Sequence, residues 1–260
     1  MPRLAHAWLV SVLALAVGDA GVQAQRATVA VAAAADLQAV MPDLVTRFER
    51  DTGIHATVSY GSSGNFFAQI QNGAPFDVFF SADVDYPKRL VASGHADADS
   101  FYEYATGHLV VWTRADSGID VRRGLAVVTD ERVARVAIAN PQYAPYGRAA
   151  VAALQHERLY ENVKGKLVLG ENLSQTAQFA QTGNAQVGII SLSLARGPAL
   201  RSGTYAEVPT AFHPAIQQAA VVLRGSKKKV EARQLLDYLR RPQTATLLQS
   251  FGFAPPGATR

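Results

Sequence analysis

The chain has 260 residues and no cysteine, and is 48% hydrophobic and 18% charged. That apolar content supports a packed core and excludes intrinsic disorder, while the missing thiols exclude a disulfide scaffold, a thiolate metal site, a cysteine nucleophile and a lipoprotein anchor. Lys+Arg of 25 against Asp+Glu of 21 gives a net charge of +4, too small an excess to point to nucleic acid.

The chain opens with Arg3, an apolar run over residues 7–17, and a small-residue exit at Val22-Gln23-Ala24. This layout predicts a cleavable secretory signal peptide over residues 1–24, and hence a soluble, exported mature protein. The apolar run is shorter than the ~20 residues that a membrane span needs. Its removal takes away Arg3 and Asp19 together, so the net charge is unchanged.

From there strands and helices alternate. A strand is predicted over 27–33, then a helix from Asp36, its N-cap, with Leu37, Val40, Leu44, Val45 and Phe48 on one face. A strand over 54–60 leads through Gly61-Ser62-Ser63-Gly64 into a helix over 65–71. A third strand (76–80) and a helix (87–93) follow. Further strands are predicted over 109–112, 133–139, 167–169, 187–190 and 219–223. The remaining helices are predicted over 147–156, 174–182, 230–239 and 242–251. Strands alternating with helices of this length predict an α/β protein with mostly parallel sheets. The length suits two lobes joined by crossovers near 104–108 and 207–214, one built from 25–106 plus 208–260 and the other from 107–207.

Four loops share a chemical character: Ala34-Ala35-Asp36, Gly61-Ser62-Ser63-Gly64, Ala144-Pro145-Tyr146-Gly147 and Glu171-Asn172-Leu173-Ser174. Each follows a strand, is built of small or polar residues, and opens a helix. First-turn amides lack intrahelical partners and carry about half a positive charge, and ligands of open α/β sheets bind at such strand ends. Four of them together would form an anion site without a cationic side chain; taken singly, they read as ordinary βα turns. The Gly61–Gly64 loop lacks the Lys-Ser/Thr ending of a P-loop, and it is G-x-S-G rather than the G-x-S-x-G of a hydrolase elbow. An exported hydrolase with Ser62 or Ser63 as nucleophile would need a base such as His108 or His213 within reach. Asp77, Asp83 and Asp85 read as turn and cap residues, and Lys227-Lys228-Lys229 as a solvated turn.

The segment YGSSGNFFAQIQNGAPFDVFFSAD, starting at Tyr60, resembles the periplasmic molybdate-binding proteins of ABC importers. VAAAADL at the first strand, ANPQYAPYG from Ala139, the turn at 170–173, VGII from Val187 and YLRRPQTATLLQSFGF from Tyr238 agree with it in order. The resemblance implies a type II periplasmic binding fold whose two lobes close on a tetrahedral oxyanion held by neutral donors. It places Ser63 as donor through hydroxyl and amide, and Tyr146 and Leu173 through their amides. Ala35 and Asp36 stand where relatives carry a hydroxyl or amide residue, and Ser191 where many relatives carry a tyrosine. Ala35 has only its amide to offer, and an ionised Asp36 would repel a dianion, so Asp36 is expected to turn back and cap its own helix. Ser62, Asn65 and Tyr143 are candidate substitute donors. The ion implied is molybdate, with tungstate, and the alternatives are sulfate, thiosulfate and phosphate. The resemblance implies no catalytic residue and no cofactor, molybdenum being met only as molybdate through the oxyanion site. It implies a monomer whose partner is the inner-membrane permease of an ABC importer.

Overall fold

The computed structural model describes residues 28–257, so the signal-peptide expectation over 1–24 lies outside the described residues. β1 (Thr28–Ala34) is an alanine- and valine-rich strand, buried except for the half-buried Thr28 and Ala30. It pairs in parallel with β2 (His55–Gly61) and β3 (Val78–Ser81). Between β1 and β2 the chain makes a 3-10 turn (Ala35–Ala39) and then α1 (Met41–Thr52), which buries Met41, Leu44 and Phe48 against the sheet. α2 (Ser63–Gln71) and α3 (Asp85–Ala92) follow β2 and β3. β4 (Tyr102–Gly107) then forms where a crossover was expected. Its Tyr-Glu-Tyr-Ala-Thr-Gly sequence carries little apolar signal; it becomes a strand by pairing antiparallel with β10 (Ile216–Val222), which also pairs antiparallel with β3.

The second sheet is built from β5 (Leu109–Thr113), β6 (Val136–Ala139), β7 (Leu167–Gly170), β8 (Val187–Ser191) and β9 (Thr204–Glu207). Helices α4 (Pro145–His156), α5 (Tyr160–Val163), α6 (Leu173–Gln181) and the short α7 (Leu192–Arg196) lie between its strands. α8 (Lys229–Leu239) and α9 (Pro242–Ser250) follow β10. The described residues thus form two five-stranded sheets, ordered β2-β1-β3-β10-β4 and β7-β6-β8-β5-β9.

Each sheet has two parallel and two antiparallel pairings rather than a parallel majority. The antiparallel pairs arise where the chain changes sheet. His108 alone separates β4 from β5, and the return runs from β9 to β10. Central strands β3, β5, β6 and β8 are buried along their whole length, as expected for sheets covered on both faces. No helix among the described residues is long and apolar enough to cross a membrane.

Candidate oxyanion site between the two sheets

All four loops singled out in the sequence open helices at the ends of β1, β2, β6 and β7. Ala34, Ala35 and Ala82 of the first half pack in one buried cluster with Tyr146 and Leu173 of the second, so strand ends from both sheets converge. Ala35, Asp36, Ser62, Ser63, Tyr146, Leu173 and Ser191 are all buried.

Ser62 is the N-cap of α2, its hydroxyl accepting the Asn65 amide at 3.4 Å. Ser63, the first helical residue, is fully buried, and its Oγ accepts the Ala82 amide at 3.0 Å. An oxygen that accepts there still has its own O–H to donate, and the Ser63 amide stands in the helix's first turn without an intrahelical acceptor. Gly64 donates its amide to the Tyr143 carbonyl at 2.9 Å, across to the second half. A Cβ on Gly64 would lie 2.7 Å from that oxygen and 2.8 Å from Tyr86 Oη, so glycine is what permits this approach.

In α4, Pro145 occupies the first position and has no N–H, which makes the Tyr146 amide the first donor of that helix. In α6, Asn172 caps through its side chain, accepting the Gln175 amide at 3.1 Å, and Leu173 follows as the first helical residue. The neutral amides of Ala35, Ser63, Tyr146 and Leu173 therefore all belong to helix starts. At the rim, Arg148 pairs with Asp83 and lies 3.4 Å from Tyr86 Oη, while Ser174 bonds Gln38, each contact bridging the two halves. Asn65 and Tyr143 take part in these contacts mainly through their backbones.

Asp36 departs from its expected role. The 3-10 turn over Ala35–Ala39, in which it is the second residue, has Ala34 at its N-cap and no side-chain cap. Instead Oδ2 accepts Gln218 Nε2 at 2.5 Å and Tyr146 Oη at 3.2 Å. The carboxyl turns inward because β10 and α4 present two donors there, which a view of the local helix alone does not contain. Burial raises its pKa from 3.8 to about 7; the hydrogen bonds from Gln218 and Tyr146, and the nearby Asp36 and Leu37 amides, which fall outside hydrogen-bond geometry, only partly oppose this. Burial and the nearby Asp36 carboxyl push the Tyr146 phenol well above its ordinary range, and the Tyr104 phenol likewise.

Ser191 is the N-cap of α7, accepting the Leu194 amide at 3.3 Å. Ser193 Oγ lies 2.7 Å from the Asp36 carbonyl oxygen and 3.0 Å from Ser191 Oγ. The carbonyl can only accept, so the single Ser193 proton goes there and Ser191 supplies the proton of the serine pair. Ser191 is thus engaged within the protein as donor and acceptor, which leaves it no proton for a ligand.

Gln218, Tyr104 and Ser193 were not legible as site residues. The one signal was the pair Gln217-Gln218 inside an otherwise apolar strand. The Ser62 and Ser63 hydroxyls accept the backbone amides of Asn65 and Ala82. His213 directs Nδ1 to the Pro214 carbonyl at 2.8 Å.

The bacterial extracellular solute-binding protein model matches residues 29–254. The molybdate-binding protein ModA of Azotobacter vinelandii is 40% identical, covering 93% of this chain and 96% of its own. The molybdate-binding protein ModA of Rhodobacter capsulatus is 37% identical, covering 93% of each chain. A solved structure of the Azotobacter vinelandii periplasmic molybdate-binding protein superposes with a TM-score of 0.82 at 30% identity, over 88% of this chain and 99% of that one. The chain therefore belongs to the bacterial extracellular solute-binding proteins and, within them, to the family of these molybdate-binding relatives.

Proposed function

We propose that the protein is a periplasmic receptor that captures molybdate, and tungstate with it, between its two halves and delivers the ion to the permease of an ABC importer. The observation that carries this reading is that helix starts from both sheets meet in one buried cluster, Ala35 with Tyr146 and Leu173, to which Ser63 is tied through the Ala82 amide. The donors are the Ser63 hydroxyl and amide and the amides of Ala35, Tyr146 and Leu173. Fixed amide dipoles hold a dianion without a countercharge, and they avoid the cost of a buried, unpaired lysine in the empty receptor. A ring of donors on rigid elements cannot contract around a smaller ion, which favours the larger tetrahedral oxyanions over sulfate.

The two halves act as lobes, 25–106 with 208–260 and 107–207, hinged where the chain passes between the sheets. Calorimetric titration of the mature chain with molybdate, tungstate, sulfate and phosphate tests the reading. The expected result is saturable binding of the first two well below millimolar concentration. No heat from either, or tighter binding of sulfate or phosphate, would overturn it.

A further inference from the structure

Asp36 Oδ1 is buried and has no hydrogen-bond partner, and among the described residues only His213 Nε2 shares that condition. An orphaned buried oxygen is costly, and it calls for a partner that the protein alone does not supply.

The surrounding network explains why no donor reaches it. Tyr104 Oη donates to Gln218 Oε1 at 2.7 Å, which fixes the orientation of the Gln218 amide. Gln218 Nε2 then has two protons, one directed to Asp36 Oδ2 and one to Tyr146 Oη at 3.2 Å. The Tyr146 proton goes to the same Oδ2. Every proton of the network is thereby used, and both donors to the carboxyl converge on one oxygen. In a neutral carboxyl the oxygen receiving two donors is the carbonyl oxygen, so the acid proton resides on the other, Oδ1. That atom belongs to the residue immediately after Ala35, at the first of the four converging helix starts.

We propose that Asp36 meets the oxyanion as a neutral carboxylic acid, donating a hydrogen bond from Oδ1–H, so that wherever the empty receptor has lost that proton, capture of the dianion takes one back up from solvent. This rests on the receptor reading above. The proton comes from bulk water and stays on Asp36; no bond of the oxyanion is formed or broken. An ionised Asp36 would instead set a buried negative charge against a dianion.

The groups that face the carboxyl are consistent with a neutral acid. From β4 and α4 come the phenols of Tyr104 and Tyr146, and from β10 the neutral Gln218. α7 brings Ser193 and α6 brings no charged side chain, while β2 contributes half-buried Tyr60. Asp43 and Arg47 of α1, His55 of β2 and Arg196 of α7 are exposed. No cation contributes to holding the carboxyl ionised, and burial raises its pKa to about 7.

The test is molybdate titration by calorimetry between pH 6 and 8.5, each pH repeated in two buffers of different ionisation enthalpy. As the pH rises past 7 the proton uptake of the wild-type protein is expected to grow toward one per ion, with affinity falling up to about tenfold for each further pH unit. Asp36→Asn places a permanent donor at the same position and is expected to abolish both the proton uptake and the pH dependence. Molybdate binding by the wild-type protein with no proton uptake and a flat pH profile would overturn the proposal while leaving the receptor reading intact. Preference for phosphate over molybdate, lost in Asp36→Asn, would also overturn it, because Asp36 would then be accepting a proton carried by the ion. Absence of binding at every pH would remove the receptor reading and this inference with it.

Discussion

Tyr146 Oη lies 3.2 Å from Asp36 Oδ2, and the two residues follow strands of different sheets, β6 and β1. Tyr146 therefore has two separable parts. Its amide opens α4 and is a donor to the ion in the proposed receptor, while its hydroxyl ties the second half to the first through the Asp36 carboxyl. The Ser193 hydroxyl on the Asp36 carbonyl makes a second tie to the same residue. Asp36 is thus gripped from the other half at both its side chain and its backbone.

Tyr146→Phe keeps the amide and the ring and removes only the hydroxyl. A buried hydrogen bond contributes about 0.5–1.5 kcal/mol net, so molybdate affinity is expected to fall by roughly two- to tenfold. Calorimetric titration at pH 6.5 checks this. Unchanged affinity would mean that the tie plays no part in holding the halves together around the ion.

The ligand-free protein is expected to lose stability as the pH rises from about 4 to 7. In that window the unfolded chain has released the Asp36 proton and the folded one retains it, so the unfolded state binds fewer protons and the slope is negative. The contribution is fully present below the ordinary carboxylate pKa of 3.8 and lost as the pH passes the folded value of about 7, a difference of about 4 kcal/mol. The carboxylates of Asp120 and Asp130, held low by hydrogen bonds from Arg122 and Arg132, act in the opposite direction at lower pH. Comparing the wild-type protein with Asp36→Asn separates the two effects: chemical denaturation at pH 5 and pH 8 should show the decline in the first and not in the second. Equal declines would assign the slope to other groups.

The elements that position the site were readable because each rests on a local signal. β1, β3 and β8 are short runs of apolar residues, and α1, α4 and α6 carry an apolar face behind a cap or proline. The loops at Ser63, Tyr146 and Leu173 were readable for the same reason, small and polar residues between a strand and a helix. What escaped depended on partners far along the chain. Asp36 has the sequence setting of an N-cap, yet Gln218, 182 positions away, decides its hydrogen bonding. Ser191 reads as a shortened tyrosine position, yet Ser193 and α7 determine what its hydroxyl can do. β4 is a strand because β10 returns from the other sheet beside it, a pairing that no local pattern encodes.

Gly107 sits at the end of β4 beside this network. A Cβ there would overlap Tyr146 Oη and lie 2.8 Å from Gln218 Nε2. Gly107→Ala is expected to displace both donors from Asp36, costing about 1–3 kcal/mol in unfolding free energy, as overpacked interiors do. Urea denaturation gives the stability change. A variant as stable as the wild-type protein would show that the network shifts freely.

Ser63 and Ser62 are neighbours with different duties, and substituting each by alanine should separate them. Ser62→Ala removes a helix cap held by a long bond of 3.4 Å, so its effect belongs in the melting temperature, at about 1 kcal/mol or less. Ser63→Ala removes the acceptor of the Ala82 amide and the hydroxyl proposed as a donor to the ion. The orphaned amide costs about 1–3 kcal/mol of stability. A hydrogen bond to a charged ligand contributes about 1.5–3 kcal/mol, so molybdate affinity should fall by about ten- to a hundredfold. Titration and thermal melting of both variants read the two quantities independently. An affinity loss in Ser62→Ala that matches or exceeds the loss in Ser63→Ala would exchange the two assignments, because the ion would then take its hydroxyl donor from the cap rather than from the first helical residue.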